Sequence, residues 1–189
     1  MAADQKKGRL KQATLIFLDE SGFLLQPLVR RTWAPRGQTP IHYSWDRHDR
    51  LSVIAALTVA PRRRRIGLYF DVHEHNIRAP DVVTFVRALY RQLRRPLILI
   101  CDRLNVHRSA VKELLATDRS WLEVEWLPAY APELNPVEAL WSYTKYSQLA
   151  NFIPTDVGHL EDAVVETLCD EYHDQQLKRS FFQTAELNL

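Results

Sequence analysis

The sequence predicts an α/β fold in which helices flank a mixed β-sheet, and three observations support this. Short apolar runs alternate with segments of helical periodicity. Two of the runs, 51–60 and 66–72, are separated by only a few residues, which predicts an antiparallel hairpin. A helical segment precedes the run 97–101, and the strand-helix-strand order predicts that this strand lies parallel to the first one.

The N-terminal half begins with a polar lead-in, residues 1–12, followed by a short apolar run at 14–18 that predicts a strand buried on both faces. Asp19 ends this run. Residues 20–22 are typical of a turn, and a second strand is expected to begin at Phe23. Four Pro and Gly residues then predict an irregular segment up to about residue 42.

The C-terminal half continues the alternation of helices and strands. A helix is expected from Pro80 with apolar residues on one face, and another follows Asp102 and ends near Leu115. Residues 122–127 predict a further strand. Asn135 and Pro136 are typical of a helix start, and a last amphipathic helix is expected from Glu161 to about Phe182.

The composition is that of an ordinary globular protein, and we expect residues 13–189 to form a single domain. The chain has 189 residues, of which 46% are hydrophobic and 25% charged. Cys101 and Cys169 lie in apolar sequence, which predicts reduced core thiols and no disulfide. The polar N-terminus and the lack of a long apolar run predict a cytoplasmic protein without a membrane partner.

The positive charge is carried mainly by arginine, with 19 arginines against 6 lysines, although the net charge is only +2. The densest cluster is the run 62–65. Arginine binds phosphate oxygens in a bidentate manner, but a solvated surface is the favoured interpretation of each cluster taken alone. Trp33 lies among arginines, and we interpret it as an aromatic anchor for its loop rather than a nucleic-acid contact.

Three acids are candidates for one site. Asp19 and Asp102 each follow an apolar strand, and Glu138 lies on the first turn of the helix that Asn135 opens. Each acid taken alone could cap a turn or a helix, and Asn135 with Glu138 resembles a capping box. Taken together they indicate a ligand site, because α/β sheets gather such groups at the carboxyl ends of their strands.

Three clustered carboxylates suit phosphodiester cleavage with two divalent cations. Asp71 is a fourth acid, which we expect on an edge strand facing water. His73 and His75 resemble metal ligands, but no third ligand lies nearby in the sequence. We therefore interpret these two histidines as solvent-exposed.

Four motifs in this order resemble those of bacterial insertion-sequence transposases of the mariner-type superfamily. The match covers about residues 13–150, with 35 residues between Asp102 and Glu138. The motifs are Phe17-Leu-Asp-Glu-Ser-Gly-Phe23, Arg31-Thr-Trp-Ala-Pro-Arg-Gly-Gln-Thr-Pro40, Cys101-Asp-Arg-Leu-Asn-Val-His107 and Pro128-Ala-Tyr-Ala-Pro-Glu-Leu-Asn-Pro-Val-Glu-Ala-Leu-Trp141.

The resemblance implies an RNase H-like core with three antiparallel N-terminal strands followed by parallel strands, flanked by helices. It implies that Asp19, Asp102 and Glu138 are the catalytic, metal-binding triad. It also suggests that His107 lies near the metal or phosphate and that Asn135 shapes the loop before Glu138. The family commonly has Asn after the second Asp, where this chain has Arg103.

The resemblance implies a DDE transposase that cleaves DNA at element ends and transfers the strands with two Mg²⁺ ions, for which Mn²⁺ can substitute. The expected partners are the terminal inverted repeats, target DNA and a second copy in a homodimer. The N-terminal helix-turn-helix modules of such transposases are not found here, so a separate or frameshift-fused half is a further expected partner. We expect contacts to the DNA backbone from Arg31, Arg36, Arg62, Arg63, Arg64, Arg65, Arg103, Arg108 and Lys145.

Two alternatives remain open from the sequence. The first is an RNase H-like nuclease or junction resolvase that cuts DNA without strand transfer. The second is an inactive remnant that serves as a DNA-binding or dimerisation module, against which the intact triad argues.

Overall fold

A computed structural model describes residues 12–41, 43, 49–62 and 65–187, and its centre is a five-stranded sheet. The strand order is β3-β2-β1-β4-β5. Strands β1 to β3 pair antiparallel, whereas β4 and β5 run parallel to β1, which confirms the predicted mixed sheet. The strands are β1 (Thr14–Leu24), β2 (Arg50–Val59), β3 (Ile66–His73), β4 (Leu97–Cys101) and β5 (Leu122–Trp126).

Five α-helices flank this sheet in the described part of the chain. A short 3₁₀ turn, Pro132–Leu134, precedes the third helix, and a π-helical turn, Thr144–Gln148, follows it. The helices are α1 (Ala79–Leu93), α2 (Asn105–Thr117), α3 (Pro136–Tyr143), α4 (Val157–His173) and α5 (Gln175–Thr184).

The sheet is covered on both faces, which explains its continuous apolar strands. Alternate residues of β1 belong to two different cores: Ile16 and Leu18 pack with α1 and α2, whereas Leu15 and Phe17 pack with α3, α4 and α5. A strand buried on both faces needs apolar residues at every position. Because each face has its own helix layer, neighbouring residues at the end of β1 meet different helices.

The first strand is longer than predicted, so the expected turn at residues 20–22 is absent. Pairing with β2 continues from Asp19 opposite Ala55 to Leu24 opposite Arg50, and Phe23 is buried. The polar residues after Leu18 have the composition of a turn, but the partner strand satisfies their backbone groups. Asp19 therefore lies within the strand rather than beyond it.

The predicted last helix is two helices. Asp174 has an extended backbone, with φ −85° and ψ 99°, and its side chain accepts a hydrogen bond of 2.8 Å from the Leu177 N–H. This N-cap ends α4 and starts α5. The prediction for the cysteines was half right, because Cys101 is buried but Cys169 is exposed; both are free thiols. None of the helices in the described ranges is both long and apolar enough to cross a membrane.

Candidate active site

The sheet register brings Asp19 and Asp102 to the same level. Phe17 is paired with Ile100 across the parallel β1 and β4, so Asp19 and Asp102 occupy equivalent positions two residues further along. Neighbouring strands lie about 4.8 Å apart. The two acids therefore occupy equivalent positions beyond the last paired residues of two adjacent strands, as expected from the carboxyl ends of parallel strands.

Asn135 holds α3, and with it Glu138, against the end of β1. Its side-chain NH₂ donates to the Leu18 carbonyl at 3.2 Å, and its Oδ1 accepts from the Val137 N–H at 3.3 Å. The predicted N-cap is therefore present. The predicted capping box is not, because the Asn135 backbone N–H donates to the Pro132 carbonyl at 2.9 Å instead of to Glu138. The exposed Glu138 carboxylate is thus not engaged as a helix cap.

Charges of neighbouring acids act on the pKa values of Asp19 and Glu138. Asp19 is only 8% exposed, and burial, followed by the charges of Glu138 and Glu20, raises its pKa to about 7. Burial also raises the pKa of Glu138, where the positive charge of Lys145 opposes the effect and the charge of Asp102 adds to it. The protein thus holds negative charge together at the site in spite of repulsion.

Two further residues, Trp141 and Lys145, lie beside Asp19 and Glu138. The Trp141 indole N–H donates to Asp19 Oδ2 at 3.1 Å. The Lys145 ammonium donates to Ser21 Oγ at 2.6 Å and lies 5.0 Å from the centre of the Phe23 ring. Burial lowers the pKa of Lys145, against the charges of Glu138 and Asp19. Lys145 is therefore a half-buried cation beside the acids.

His107 occupies the opposite side of the sheet, between Glu20 and Asp102. It is 1% exposed, its Nδ1 lies 2.5 Å from Asp102 Oδ1, and its Nε2 lies 2.8 Å from Glu20 Oε2. Burial alone would lower its pKa, but the hydrogen bonds and charges of Glu20 and Asp102 raise it to about 9. A protonated His107 therefore donates to both carboxylates and fixes the orientation of Asp102.

Sequence reasoning missed Glu20 and Trp141 as parts of the site. Glu20 was assigned to a turn, although strand alternation places it on the face opposite Asp19, where α2 packs. Trp141 lies three residues after Glu138, a spacing that brings side chains to one side of a helix. The alternation at Glu20 and the spacing of Trp141 from Glu138 are both present in the sequence. They could be interpreted only once the full length of β1 and the start of α3 were known.

The predicted DNA-binding residues fall into two groups. Arg103 and Arg108 are exposed and flank Asp102 and His107, and Arg31 and Arg36 are exposed in the irregular segment after β1. In that segment Trp33 is fully exposed, so the prediction of an aromatic anchor was wrong.

Arg62 and Arg65 lie at the other end of the sheet from the three acids. They are exposed beside the β2-β3 connection, where Val59 is paired with Leu15 at the start of β1. Arg63 and Arg64 lie outside the described residues. The structure thus does not bring this cluster to the candidate site.

The family can now be assigned. The family model for DDE superfamily endonucleases matches residues 14–159, which is most of the chain. The chain therefore belongs to the DDE superfamily of endonucleases. No curated protein matches the sequence significantly.

The fold is the RNase H-like fold of a mariner-type transposase. The Mos1 transposase paired-end complex with the left transposon end superimposes with a TM-score of 0.67 at 16% sequence identity, over 98% of this chain and 56% of that chain. The Mos1 strand transfer complex gives a TM-score of 0.62 at 18% identity, over 98% and 55%. The Mos1 mariner paired-end complex with Mn gives 0.67 at 16% identity, over 98% and 57%. This chain spans a little over half the length of those chains.

Proposed function

We propose that this chain is the catalytic domain of a DNA transposase, which cleaves DNA at the ends of a mobile element and joins the freed 3′-hydroxyls to target DNA. One observation carries the proposal above all. Asp19 lies in β1, Asp102 directly follows the neighbouring β4 and Glu138 lies on the first turn of α3, and burial with the charges of Glu138 and Glu20 raises the pKa of Asp19 to about 7.

The donor set fits Mg²⁺ or Mn²⁺. All three side chains are carboxylates, which suit hard cations, and the pKa values of Asp19 and Glu138 are raised by burial first and by neighbouring acids second, a cost that a bound cation would offset. When bound, a pair of such ions supplies activation of the attacking oxygen and stabilisation of the leaving oxygen. We assign Asp19, Asp102 and Glu138 as the metal-binding residues.

The surrounding residues keep these three carboxylates in place. Trp141 holds one oxygen of Asp19, and His107 holds one oxygen of Asp102. Asn135 attaches the start of α3 to β1 and thereby fixes the position of Glu138. Such supporting hydrogen bonds fix the side chains that ligate a metal ion and contribute to the affinity of the site for the ion. Lys145, next to Glu138, is placed to contact a phosphate oxygen of the scissile strand.

The exposed arginines near the acids define the proposed DNA path. Arg103 follows Asp102, Arg108 lies near the start of α2, and Arg31, Trp33 and Arg36 are exposed in the segment after β1; we propose that the DNA backbone contacts both groups. Contacts of this kind bind the DNA backbone without sequence preference and weaken as salt increases. Arg62 and Arg65 would reach only DNA that continues past the sheet.

The proposal includes the partners that a transposase needs. These are the terminal inverted repeats, target DNA, a second copy of the chain, and a helix-turn-helix module for recognition of the repeats. In a bacterium the reaction would take place in the cytoplasm, where the DNA is.

Replacing Asp102 with Asn or Glu138 with Gln tests the proposed metal-binding residues. We expect either change to reduce Mg²⁺- or Mn²⁺-dependent nicking of supercoiled DNA by about a thousandfold, because metal coordination contributes several kcal/mol to the transition state. The matched control is Asp162→Asn, which changes an exposed acid of α4 and should leave nicking unchanged. Nicking that persists in both triad variants would rule out this assignment.

A strand-transfer assay separates the transposase from a nuclease or resolvase of the same fold. Short duplexes with pre-cleaved 3′-hydroxyl ends are incubated with protein, Mn²⁺ and a target plasmid, and we expect joined products. Nicking without any joined product would favour the nuclease. If calorimetry detects no binding of Mg²⁺ or Mn²⁺, an inactive DNA-binding module is the better description.

A further inference from the structure

We propose a second metal site, suited to Zn²⁺ or a similar transition metal, that is built by His73, His75 and Asp81 at the edge of the sheet. The sequence led us to interpret the two histidines as solvent-exposed residues without a third ligand. His75 is exposed as predicted and His73 is only partly so, but the expected lack of a third ligand was wrong, because the first turn of α1 returns to the end of β3 and brings Asp81 beside both histidines.

The three side chains already have nearly the spacing of metal ligands. One potential ligand atom of each lies within 4.8 Å of those of the other two. His75 Nε2 and Asp81 Oδ2 are 3.3 Å apart. Two ligands at about 2.0–2.1 Å from a tetrahedral zinc ion are separated by about 3.3 Å, so this pair matches one edge of the tetrahedron. Small side-chain rotations of His73 would bring in the third ligand.

The site is held by the ends of two regular elements. His73 is the last residue of β3, and Asp81 is the third residue of α1. Asp81 is also fixed by a hydrogen bond of 2.8 Å from the Arg78 N–H to its Oδ2. The rings of His73 and His75 meet edge to face, with centroids 5.0 Å apart. The side chain of His75 is 54% exposed, so an ion can enter from solvent.

Asp71 provides the supporting carboxylate that metal-binding histidines usually have. Its Oδ2 lies 3.3 Å from His73 Nε2. A carboxylate next to a ligand histidine orients the ring and makes it a stronger donor. Asp71 was predicted to face water at a sheet edge; it does so with 58% of its side chain exposed, and it also contacts His73.

The ligand chemistry distinguishes this site from the three acids. Two imidazoles and one carboxylate favour zinc and related transition metals, whereas three carboxylates favour Mg²⁺ or Mn²⁺. The two sites are also too far apart to share an ion. Asp71 is level with Ile54 and Glu20, two strands away from β1 and so about 10 Å across the sheet. A bound ion would connect the end of edge strand β3 to the start of α1, and three protein ligands would leave one position for water.

Zinc binding by the full chain tests the site. In all other experiments the parent is the unsubstituted protein; for the zinc measurements alone, the parent protein carries Asp102→Asn and Glu138→Gln, so that the three acids do not take up the added ion. We expect it to bind one equivalent of Zn²⁺ in calorimetry, to melt at a higher temperature with Zn²⁺, and to give the intense visible bands of tetrahedral Co²⁺. His75→Asn should abolish the Co²⁺ bands and weaken Zn²⁺ binding at least tenfold, and Asp71→Asn should weaken it about tenfold.

The matched control is His173→Asn, which removes an exposed histidine outside the cluster and should bind zinc like the parent. His75 is preferred over Asp81 as the main test, because Asp81 also accepts the Arg78 hydrogen bond at the start of α1 and its loss could affect folding. The proposal is overturned if the parent binds no zinc, or if His75→Asn binds zinc as tightly as His173→Asn. Neither result would affect the nicking assay.

Discussion

Asp19 and Glu20 are adjacent in the chain, point to opposite faces of β1, and meet opposite electrostatic environments. Glu20 contacts a buried His107 at 2.8 Å, and His107 also contacts Asp102, so positive charge is provided within the protein. Asp19 accepts a hydrogen bond from the neutral indole N–H of Trp141, and burial, followed by the charges of Glu138 and Glu20, raises its pKa to about 7. The comparison indicates that a buried imidazolium bridges the carboxylates on one face, whereas Asp19 on the other face has only the half-buried Lys145 as a nearby cation. We therefore propose that the metal ion binds on the second face.

Removing the cation of the Glu20 face should have the largest effect on stability. His107→Ala leaves Glu20 and Asp102 without their shared partner, and we expect a loss of about 3 kcal/mol in the free energy of unfolding near pH 6. The pKa of His107 is raised to about 9 in the folded protein, above its ordinary 6.5. Its contribution is therefore fully present below pH 6.5 and is lost as the pH rises through about 9.

Urea unfolding at pH 6 and pH 10 checks this expectation. The difference between His107→Ala and the parent should shrink at pH 10 to the loss of packing alone. The control His173→Ala alters an exposed ring and should change stability by less than about 0.5 kcal/mol. An equal loss for His107→Ala at both pH values would contradict the assignment of a charged His107.

Neutralising Asp19 on the other face should stabilise the protein instead of destabilising it. Because the pKa of Asp19 is raised from 3.8 to about 7, its contribution to stability is most favourable below pH 3.8 and is lost as the pH rises through about 7. Without divalent metal, Asp19→Asn should therefore raise the free energy of unfolding by about 2 kcal/mol at pH 8 and by little at pH 4.

Thermal melts at the two pH values, each with and without Mg²⁺, measure this effect. Added Mg²⁺ should stabilise the parent more than the variant, because the ion takes over the charge compensation. If Asp19→Asn destabilised the protein at pH 8 without metal, the claim that the charge of Asp19 is incompletely compensated without metal would fail.

The smallest expected effect concerns the donor to Asp19. Trp141→Phe keeps an aromatic ring beside Phe23, whose centroid lies 6.0 Å away, but removes the N–H that binds Asp19 Oδ2. We expect a loss of about 1 kcal/mol in stability, the usual contribution of a hydrogen bond. The pH at which metal-dependent nicking reaches half its maximum should also move upward. Trp33→Phe, at a fully exposed position, serves as the control, and an unchanged pH profile for Trp141→Phe would contradict a positioning role.

Much of the fold could be predicted because the sheet is buried on both faces. Its strands therefore appear in the sequence as continuous apolar runs. The prediction failed where tertiary structure overrides local composition. Residues 20–22 are polar enough for a turn, yet pairing with β2 keeps them in the strand, and Phe23 continues β1 instead of starting a second strand. The division of the last helix at Asp174 was missed because its capping aspartate interrupts the backbone without interrupting the helical spacing of apolar residues.

The candidate site could be predicted in part for a related reason. Asp19, Asp102 and Glu138 carry local signals, since each adjoins a strand end or a helix start. The contact between Glu20 and His107 joins residues 87 positions apart and depends on the sheet register. Asp81 likewise joins the two histidines only because α1 starts beside the end of β3. Contacts of this kind have no local sequence pattern.

A crystal structure of the unsubstituted protein with Mn²⁺, analysed by anomalous diffraction, tests the central claim most directly. We expect anomalous density bounded by oxygens of Asp19, Asp102 and Glu138 at about 2.1 Å, the distance typical of small hard cations. Absence of density among the three carboxylates, or density confined to His73, His75 and Asp81, would contradict the proposed active site.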